Sequence, residues 1–207
     1  MTFVHPKAHV EGAQLGEDVK VFQFASVFGG AVIGDRTVVG PCAMINGSRI
    51  GADCKVSWGV NMGPGFLVGD RVFLGPGMVL CNVRWPWVDK AGFDVGEFDG
   101  TKWAVIIEDD ASIGAYATIL PGVRIGRNAM VAAQACASRD VPDNHIIYAD
   151  GHIEPIEDEG VKLRRRMKFA QPARRPFEGE SLPHVAALDR EQEALLESVG
   201  IRADQIA

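Results

Sequence analysis

Aliphatic residues recur at every sixth position from Ala13 to Ser138, in three runs of six. The three runs are Leu15, Val21, Val27, Ile33, Val39 and Ile45; Ile50, Val56, Met62, Val68, Leu74 and Leu80; and Ile107, Ile113, Ile119, Ile125, Val131 and Ala137. A fixed six-residue period is typical of a parallel β-helix, in which each hexapeptide supplies one short strand. With three hexapeptides per triangular turn, this array predicts an all-β parallel β-helix of about six coils.

Small residues stand two positions before many of these aliphatic residues, including Ala25, Ala31, Thr37, Ser48 and Cys54. Side chains alternate across a strand, so both positions face the interior. Glycine follows the aliphatic residue at nine places: Gly16, Gly34, Gly40, Gly51, Gly63, Gly69, Gly75, Gly114 and Gly126. We expect these glycines to supply the unusual φ and ψ angles of tight turns.

The repeat is interrupted by one long segment, residues 82–104, which carries three of the four tryptophans. A loop of this length within a compact array is usually functional or disordered, and its aromatic residues oppose disorder. Asn82 stands at the base of this loop. Its amide could donate to a developing oxyanion or hold an amine for attack, although asparagine at a corner is also a common turn former.

Outside the array, residues 1–12 predict an irregular first rung that covers one end of the core. Residues 183–199 predict a helix, because their apolar residues have near-helical spacing and Gly200 follows as a stop signal. We therefore predict a domain over residues 1–154, including the loop 82–104, and an extension over residues 155–207.

Composition narrows the function classes. A net charge of −6 and a pI near 5.4 argue against a general nucleic-acid binder. No apolar run approaches the ~18 residues of a membrane span, and the first residues lack the features of a signal peptide. We therefore expect a cytoplasmic protein with reduced cysteines, Cys54 lying inside the wall.

The five histidines precede or follow the array, at His5, His9, His145, His152 and His184. Their positions argue against a zinc site built from three imidazoles on the coils, and we expect no metal. They also remove the usual histidine general base from the middle of the array.

These motifs resemble the left-handed β-helix hexapeptide acyltransferases, and among them the nucleotide-sugar N-acetyltransferases that acylate a 3-amino sugar. The resemblance covers about residues 3–145. It is carried by the opening His5-Pro6-x-Ala8-x-Val10, the loop motif Asn82-x-x-x-Pro86, the segment from Ala111 to Gly126, and the exit Arg139-Asp140-Val141-Pro142.

The resemblance implies a left-handed coil and a homotrimer with active sites between subunits. Acetyl-CoA would lie along the later coils, bonded to backbone near Gly114, Ala115, Ala132 and Ala133, with Arg139 near its phosphates. The amine of a nucleotide-linked amino sugar would attack the thioester directly, without a histidine base. Asn82 would be the catalytic residue, and the acceptor would contact Arg84, Trp85 and Trp87.

Two features depart from this family. Trp87 stands where the branch has arginine after Pro86, and the usual Gly-Asn-Pro-Ala-Arg ending is missing near Ala149-Asp150-Gly151-His152. Two alternatives therefore stay open. One is transfer of another acyl group or acylation of a hydroxyl, which is disfavoured because a hydroxyl usually needs a base. The other is a non-catalytic trimeric scaffold or binding module.

Overall fold

Short strands of two or three residues follow one another around three faces of a prism. The computed structural model describes residues 1–83 and 102–156, which contain strands and turns but no helix. The strands are β1 (Phe3–Val4), β2 (His9–Glu11), β3 (Gln14–Leu15), β4 (Lys20–Val21), β5 (Ser26–Phe28), β6 (Val32–Ile33), β7 (Val38–Val39), β8 (Met44–Asn46), β9 (Arg49–Ile50), β10 (Lys55–Val56), β11 (Asn61–Met62), β12 (Phe66–Val68), β13 (Phe73–Leu74), β14 (Val79–Leu80), β15 (Val105–Ile107), β16 (Ser112–Ile113), β17 (Thr118–Ile119), β18 (Arg124–Ile125), β19 (Met130–Val131), β20 (Cys136–Ala137), β21 (His145–Ile147) and β22 (Ile153–Pro155).

Successive strands from β1 to β20 belong to three sheets in turn, and each strand from β1 to β17 pairs in parallel with the strand three places later. Sheet A has the order β1-β4-β7-β10-β13-β16-β19-β21-β22, sheet B the order β2-β5-β8-β11-β14-β17-β20, and sheet C the order β3-β6-β9-β12-β15-β18. We call the corners between consecutive sheets edge AB, edge BC and edge CA. The predicted all-β parallel β-helix is confirmed.

Each of the eighteen predicted hexapeptides forms one strand, from β3 to β20. Their aliphatic residues are buried, except for the half-buried Leu15 near one end. The helix is longer than the predicted six coils and makes about seven turns. β1 and β2 precede the array, and an isolated bridge between Ile125 and Val141 together with β21 follows it.

The predicted irregular first rung is wrong, because residues 3–11 already belong to the regular stack. β1 pairs with β4 through Phe3 and Lys20, and β2 pairs with β5 through His9 and Ser26. Here the strands continue the β-helix through backbone pairing, although the six-residue aliphatic pattern does not extend to these residues.

The inward small positions include three polar side chains, each of which finds a partner on the next coil. The Thr37 hydroxyl donates to the Gly51 carbonyl at 2.8 Å and accepts from the Cys54 amide at 2.9 Å. Ser48 donates to the Gly63 carbonyl at 2.6 Å. Cys54 is buried as predicted, and burial raises the pKa of its thiol to about 11. All four cysteines are free thiols.

The predicted role of the nine repeat glycines is wrong, because none of them has a positive φ angle. Positive φ occurs two residues later, for example at Arg36 (57°) and Tyr116 (55°). A Cβ atom at Gly34 would lie 2.5 Å from the Gly51 carbonyl carbon. Glycine is therefore needed where one coil's backbone touches the next.

An antiparallel hairpin of β21 and β22 closes sheet A. The Tyr148 hydroxyl donates to Glu154 at 2.6 Å, and the rings of Tyr148 and His152 stack with centroids 6.1 Å apart. The predicted helix over residues 183–199 lies outside the described residues, so that helix and the domain boundary near residue 155 stay predictions. No helix long and apolar enough to cross a membrane occurs in the described ranges.

Candidate functional site

Asn82 lies on edge BC, two residues after the end of β14, and is half-buried. Its side-chain nitrogen donates to the Pro64 carbonyl on the preceding coil at 3.1 Å. Because that carbonyl can only accept, the bonded side-chain atom of Asn82 must be the nitrogen. The side-chain oxygen then remains available as an acceptor. Gly63 makes room for this contact, since a Cβ atom there would lie 3.2 Å from the same nitrogen.

This geometry separates the two chemical roles considered for Asn82. Its Oδ1 accepts no hydrogen bond within the described residues and can accept one from an amine. One of its two N–H groups is already occupied by Pro64, so a single donor remains for an oxyanion. The arrangement favours holding an amine over serving as the main oxyanion donor.

The returning end of the long loop is anchored beside this edge. The Ala104 amide donates to the Gly65 carbonyl at 2.6 Å, and the Arg49 guanidinium lies 5.7 Å from the centroid of the Trp103 ring. The sequence pattern does not mark Trp103 as a structural anchor, because its contact with Arg49 depends on the stacking of coils. Arg84, Trp85 and Trp87 lie outside the described residues, so their acceptor contacts stay predictions.

The four predicted backbone contacts for acetyl-CoA lie together on edge AB of two successive coils. Gly114 and Ala115 follow β16, and Ala132 and Ala133 follow β19. The two turns touch, since a Cβ atom at Gly114 would lie 2.4 Å from the Ala133 nitrogen. The amides of Ala115 and Ala133 donate to no acceptor in the part of the chain that the structure describes.

On edge CA, by contrast, four corner amides donate hydrogen bonds to side chains. Four aspartates accept a hydrogen bond from a corner amide one coil away: Asp35 from Glu17 (2.8 Å), Asp70 from Ala52 (2.8 Å), Asp109 from Asp70 (3.0 Å) and Asp143 from Arg127 (3.2 Å). Edge AB has no such carboxylate at Ala115 or Ala133, so these two amides are unpaired donors about 4.8 Å apart along the stack. On earlier coils of the same edge, the amides of Gln23 and Trp58 also donate to no acceptor within the described residues.

Arginines reinforce edge CA. Arg36 pairs with Asp53 at 2.6 Å, Arg71 with Asp110 at 2.7 Å, and Arg124 with Glu108 and Asp143 at 2.8 Å. Hydrogen bonds from these guanidinium groups lower the pKa of Asp53, Asp110 and Asp143. These ion pairs and the four amide–carboxylate bonds join neighbouring coils, so stacking explains this part of edge CA.

Arg139 lies on edge BC, two coils beyond Asn82, and not on edge AB with Ala115 and Ala133. Its guanidinium donates to the Gly151 carbonyl of the end hairpin at 2.8 Å. The structure therefore divides the predicted site residues between two edges separated by the width of sheet B. A single chain does not bring Asn82 and the free amides of edge AB together.

The structure adds detail to the positions of the histidines. His9 lies in β2 on the first coil and His145 in β21 near the other end, so both belong to the stack. The described coils between them contain no histidine. No cluster of three potential metal ligands occurs within residues 1–83 and 102–156.

Comparison with known proteins identifies the repeat. Residues 104–136 match the family model described as bacterial transferase hexapeptide (six repeats). This segment contains Ala115 and Ala133, whose amides are unpaired on edge AB.

The chain is similar to a curated protein of Staphylococcus aureus, 2,3,4,5-tetrahydropyridine-2,6-dicarboxylate N-acetyltransferase, with 56% identity over 43 residues. The match covers 21% of this chain and 18% of the relative, so the chain spans about a fifth of the relative's length.

One solved structure shows the same fold over a longer stretch, and a second is similar with a TM-score below 0.5. The UDP-N-acetylglucosamine acyltransferase of Francisella novicida is 18% identical with a TM-score of 0.56, covering 95% of this chain and 86% of that one. Perosamine N-acetyltransferase of Caulobacter crescentus, solved with CoA and GDP-perosamine, is 24% identical with a TM-score of 0.45, covering 74% and 56%. The predicted left-handed hexapeptide β-helix is confirmed.

Proposed function

We propose that this protein is an acetyl-CoA-dependent N-acetyltransferase that acts on a nucleotide-linked amino sugar. The observation that carries the proposal is the pair of unpaired amides, Ala115 and Ala133, on successive coils within the segment that matches the transferase repeat. The S. aureus relative, named as an N-acetyltransferase, supports the acetyl group. The acceptor class rests on the resemblance at His5-Pro6 and Asn82-x-x-x-Pro86.

In this proposal the donor lies along edge AB. The amide carbonyls of its pantetheine arm accept from Ala115 and Ala133, which fixes the thioester along the stack. Gly114 leaves the approach to Ala133 open, because any side chain there would meet the Ala133 nitrogen. Arg139 would attract the phosphates of CoA, as the resemblance implies.

Asn82 orients the acceptor. Its Oδ1 accepts a hydrogen bond from the sugar amine, and the amine lone pair attacks the thioester carbonyl carbon. A C–N bond forms and the C–S bond breaks, CoA leaves as thiolate, and the amine proton passes to solvent or to the departing sulfur. The reaction uses an amine that is already unprotonated, so no histidine base is required.

Because Asn82 and the free amides lie on different edges, one chain holds only part of this site. We propose a homotrimer in which edge BC of one subunit faces edge AB of the next. Arg84, Trp85 and Trp87 would then contact the acceptor across that boundary. The four free thiols accord with a cytoplasmic location.

Thermal unfolding with ligands tests the donor site. Acetyl-CoA at about 100 times its dissociation constant should stabilise the fold by roughly 2.7 kcal/mol. A panel of nucleotide-linked amino sugars should then show acetyl transfer by release of free CoA thiol. No shift with any CoA ester would instead support a non-catalytic trimeric scaffold.

The Asn82→Ala variant tests the acceptor role. We expect kcat to fall about 100-fold, of the order seen when one positioned group is lost, while the acetyl-CoA thermal shift is kept. Asn61→Ala is a matched control, because Asn61 lies on sheet B and its side chain bonds only the Gly59 carbonyl within the described residues, at 3.2 Å. An unchanged rate in Asn82→Ala would remove Asn82 from the mechanism.

The pH profile separates amine from hydroxyl acceptors. With a free amine as nucleophile and no enzyme base, kcat/KM should rise with pH and level off at the pKa of the acceptor amine. A profile that follows an enzyme group and is the same for acceptors with different amine pKa values would favour base-assisted acylation of a hydroxyl.

A further inference from the structure

An apolar cavity of about 490 Å³ lies on the outer face of sheet A, beside edge AB. Its lining includes the aromatic side chains of Phe22, Phe73 and Trp58, together with Val38. Cavities of this size and lining are typical of small-molecule sites, provided that a few polar groups converge on them. In the hexapeptide pattern these residues occupy ordinary outward-facing positions, so the sequence alone does not predict a cavity.

One polar group inside the cavity is buried without a partner. Ser57 lines the cavity and is only 9% exposed. Its hydroxyl makes no hydrogen bond within the described residues, although the buried hydroxyls of Thr37 and Ser48 are both paired. A buried unpaired hydroxyl costs about 1–3 kcal/mol, so a ligand atom that pairs with it gains affinity.

The cavity also has unpaired positive charge at its rim. Lys55 lines the cavity, and Lys20 lies two strands away in the same outer column of sheet A, with Val38 between them. Neither lysine forms an ion pair in the described part of the chain, whereas the guanidinium groups of Arg36 and Arg71 are paired with carboxylates. In a chain with a net charge of −6, two free lysines beside an apolar cavity complement an anion.

Trp58 is positioned to stack against a flat group. Its ring packs edge-on against Tyr116, with centroids 6.2 Å apart and planes at 77°. Gly77 makes room for this contact, since a Cβ atom there would lie 2.5 Å from the Tyr116 ring. The contact with Tyr116 therefore fixes the Trp58 ring, while 51% of the residue stays exposed.

We infer that this cavity binds the nucleoside diphosphate part of the acceptor. The base stacks against Trp58 and Phe73, the Ser57 hydroxyl bonds an edge of the base, and Lys55 with Lys20 holds the phosphates. This inference rests on the proposed function for the acceptor's identity. Arg139, proposed for the CoA phosphates, lies towards the opposite end of the helix from the cavity, which leaves the cavity to the acceptor.

Binding of UDP, GDP and dTDP, measured by calorimetry on the full chain, tests the assignment. At least one should bind, and Lys55→Gln should weaken it about tenfold, Trp58→Leu at least about fivefold, and Ser57→Ala about threefold. Arg127→Gln removes the same charge from edge CA, and Phe24→Leu removes an exposed ring that does not line the cavity. Both controls should bind within twofold of the wild type.

The outcomes separate this inference from the proposed function. If acetyl-CoA binds but the three cavity variants leave nucleotide binding unchanged, the inference falls and the proposed donor site stands. If nucleotides bind through these residues but no CoA ester binds, the cavity assignment stands and the transferase proposal falls. Competition between CoA and the nucleotide would overturn the acceptor assignment. A changed oligomeric mass in Trp58→Leu without nucleotide binding would show that another copy of the chain covers this face.

Discussion

At the residue scale, two different demands on the backbone are met at different positions of each turn. Gly34 has an ordinary φ angle but lies against the next coil, where a Cβ atom would be 2.5–2.7 Å from three backbone atoms. Two residues later Arg36 has a φ angle of 57° and nevertheless carries a side chain. The repeat glycines are therefore determined by close approach, and the positive φ angle is accepted by residues with side chains.

Gly34→Ala should therefore destabilise the fold by about 2–3 kcal/mol, because the contacted atoms are backbone and cannot move aside. Gly30 supplies a matched control on the same coil, since it has a φ angle of 79° and open space around it. Gly30→Asn should lose about 1 kcal/mol or less, because asparagine tolerates the left-handed region. Urea unfolding measures both, and equal losses would contradict the close-approach argument.

Cys54 gives a second test at this scale. Its buried thiol has a pKa raised to about 11, whereas Cys42 and Cys136 are exposed. At pH 8.5 iodoacetamide should alkylate Cys42 and Cys136 rapidly and Cys54 only after unfolding, because the thiolate is the reactive form. Folding raises the pKa of Cys54, so the buried neutral thiol contributes to the free energy of unfolding below the pKa of the unfolded thiol. This contribution is lost as pH rises towards 11. Rapid native-state labelling of Cys54, located by peptide mass, would count against its burial.

At the element scale, the edges of the prism differ in the hydrogen bonding of their corner amides, although all three follow the same six-residue repeat. On edge CA four corner amides donate to aspartates of the adjoining coil, while on edge AB the amides of Ala115 and Ala133 donate to no acceptor within the described residues. In the sequence, Gly34-Asp35-Arg36 has the composition of an ordinary solvated turn. The structure shows that the aspartate bonds a residue about one coil away, or 39 positions away where the loop intervenes.

Asp109 is the clearest test of this edge, because it joins the coils on either side of the long loop. Asp109→Ala removes the acceptor of the Asp70 amide and should lose about 1 kcal/mol, a modest value because the site is partly exposed. Asp109→Asn keeps an oxygen acceptor and should retain most of the stability. If both variants unfold at the same urea concentration, the carboxylate acts mainly by charge and not as an amide acceptor.

At the scale of the whole molecule, stability should depend on pH through edge CA. Arginine hydrogen bonds lower the pKa of Asp53, Asp110 and Asp143 in the folded state. A lowered folded pKa gives stability that is present above the unfolded value of about 3.9 and is lost as pH falls below it.

The melting temperature should therefore decrease as pH is lowered from 5 towards 2, and less steeply in 1 M NaCl, because salt screens exposed pairs. Arg71→Gln should flatten the decrease by removing the partner of Asp110. The same slope in wild type and Arg71→Gln would show that other carboxylates control the acid transition.

The sequence by itself determined the strands, their inward residues and the position of the one long break. This was possible because a six-residue period is a local property, and each aliphatic residue must face the only interior available. The structure alone decided which corners touch. The Asp109 contact with Asp70, the free amides of Ala115 and Ala133, and the cavity at Ser57 all depend on side chains from different coils. Such neighbours lie a full turn or more apart along the chain. A local sequence pattern therefore cannot show whether a given corner amide lies next to a carboxylate, a proline or no acceptor. The division of the site between two edges has the same origin, because only the closed prism shows that sheet B separates Asn82 from edge AB.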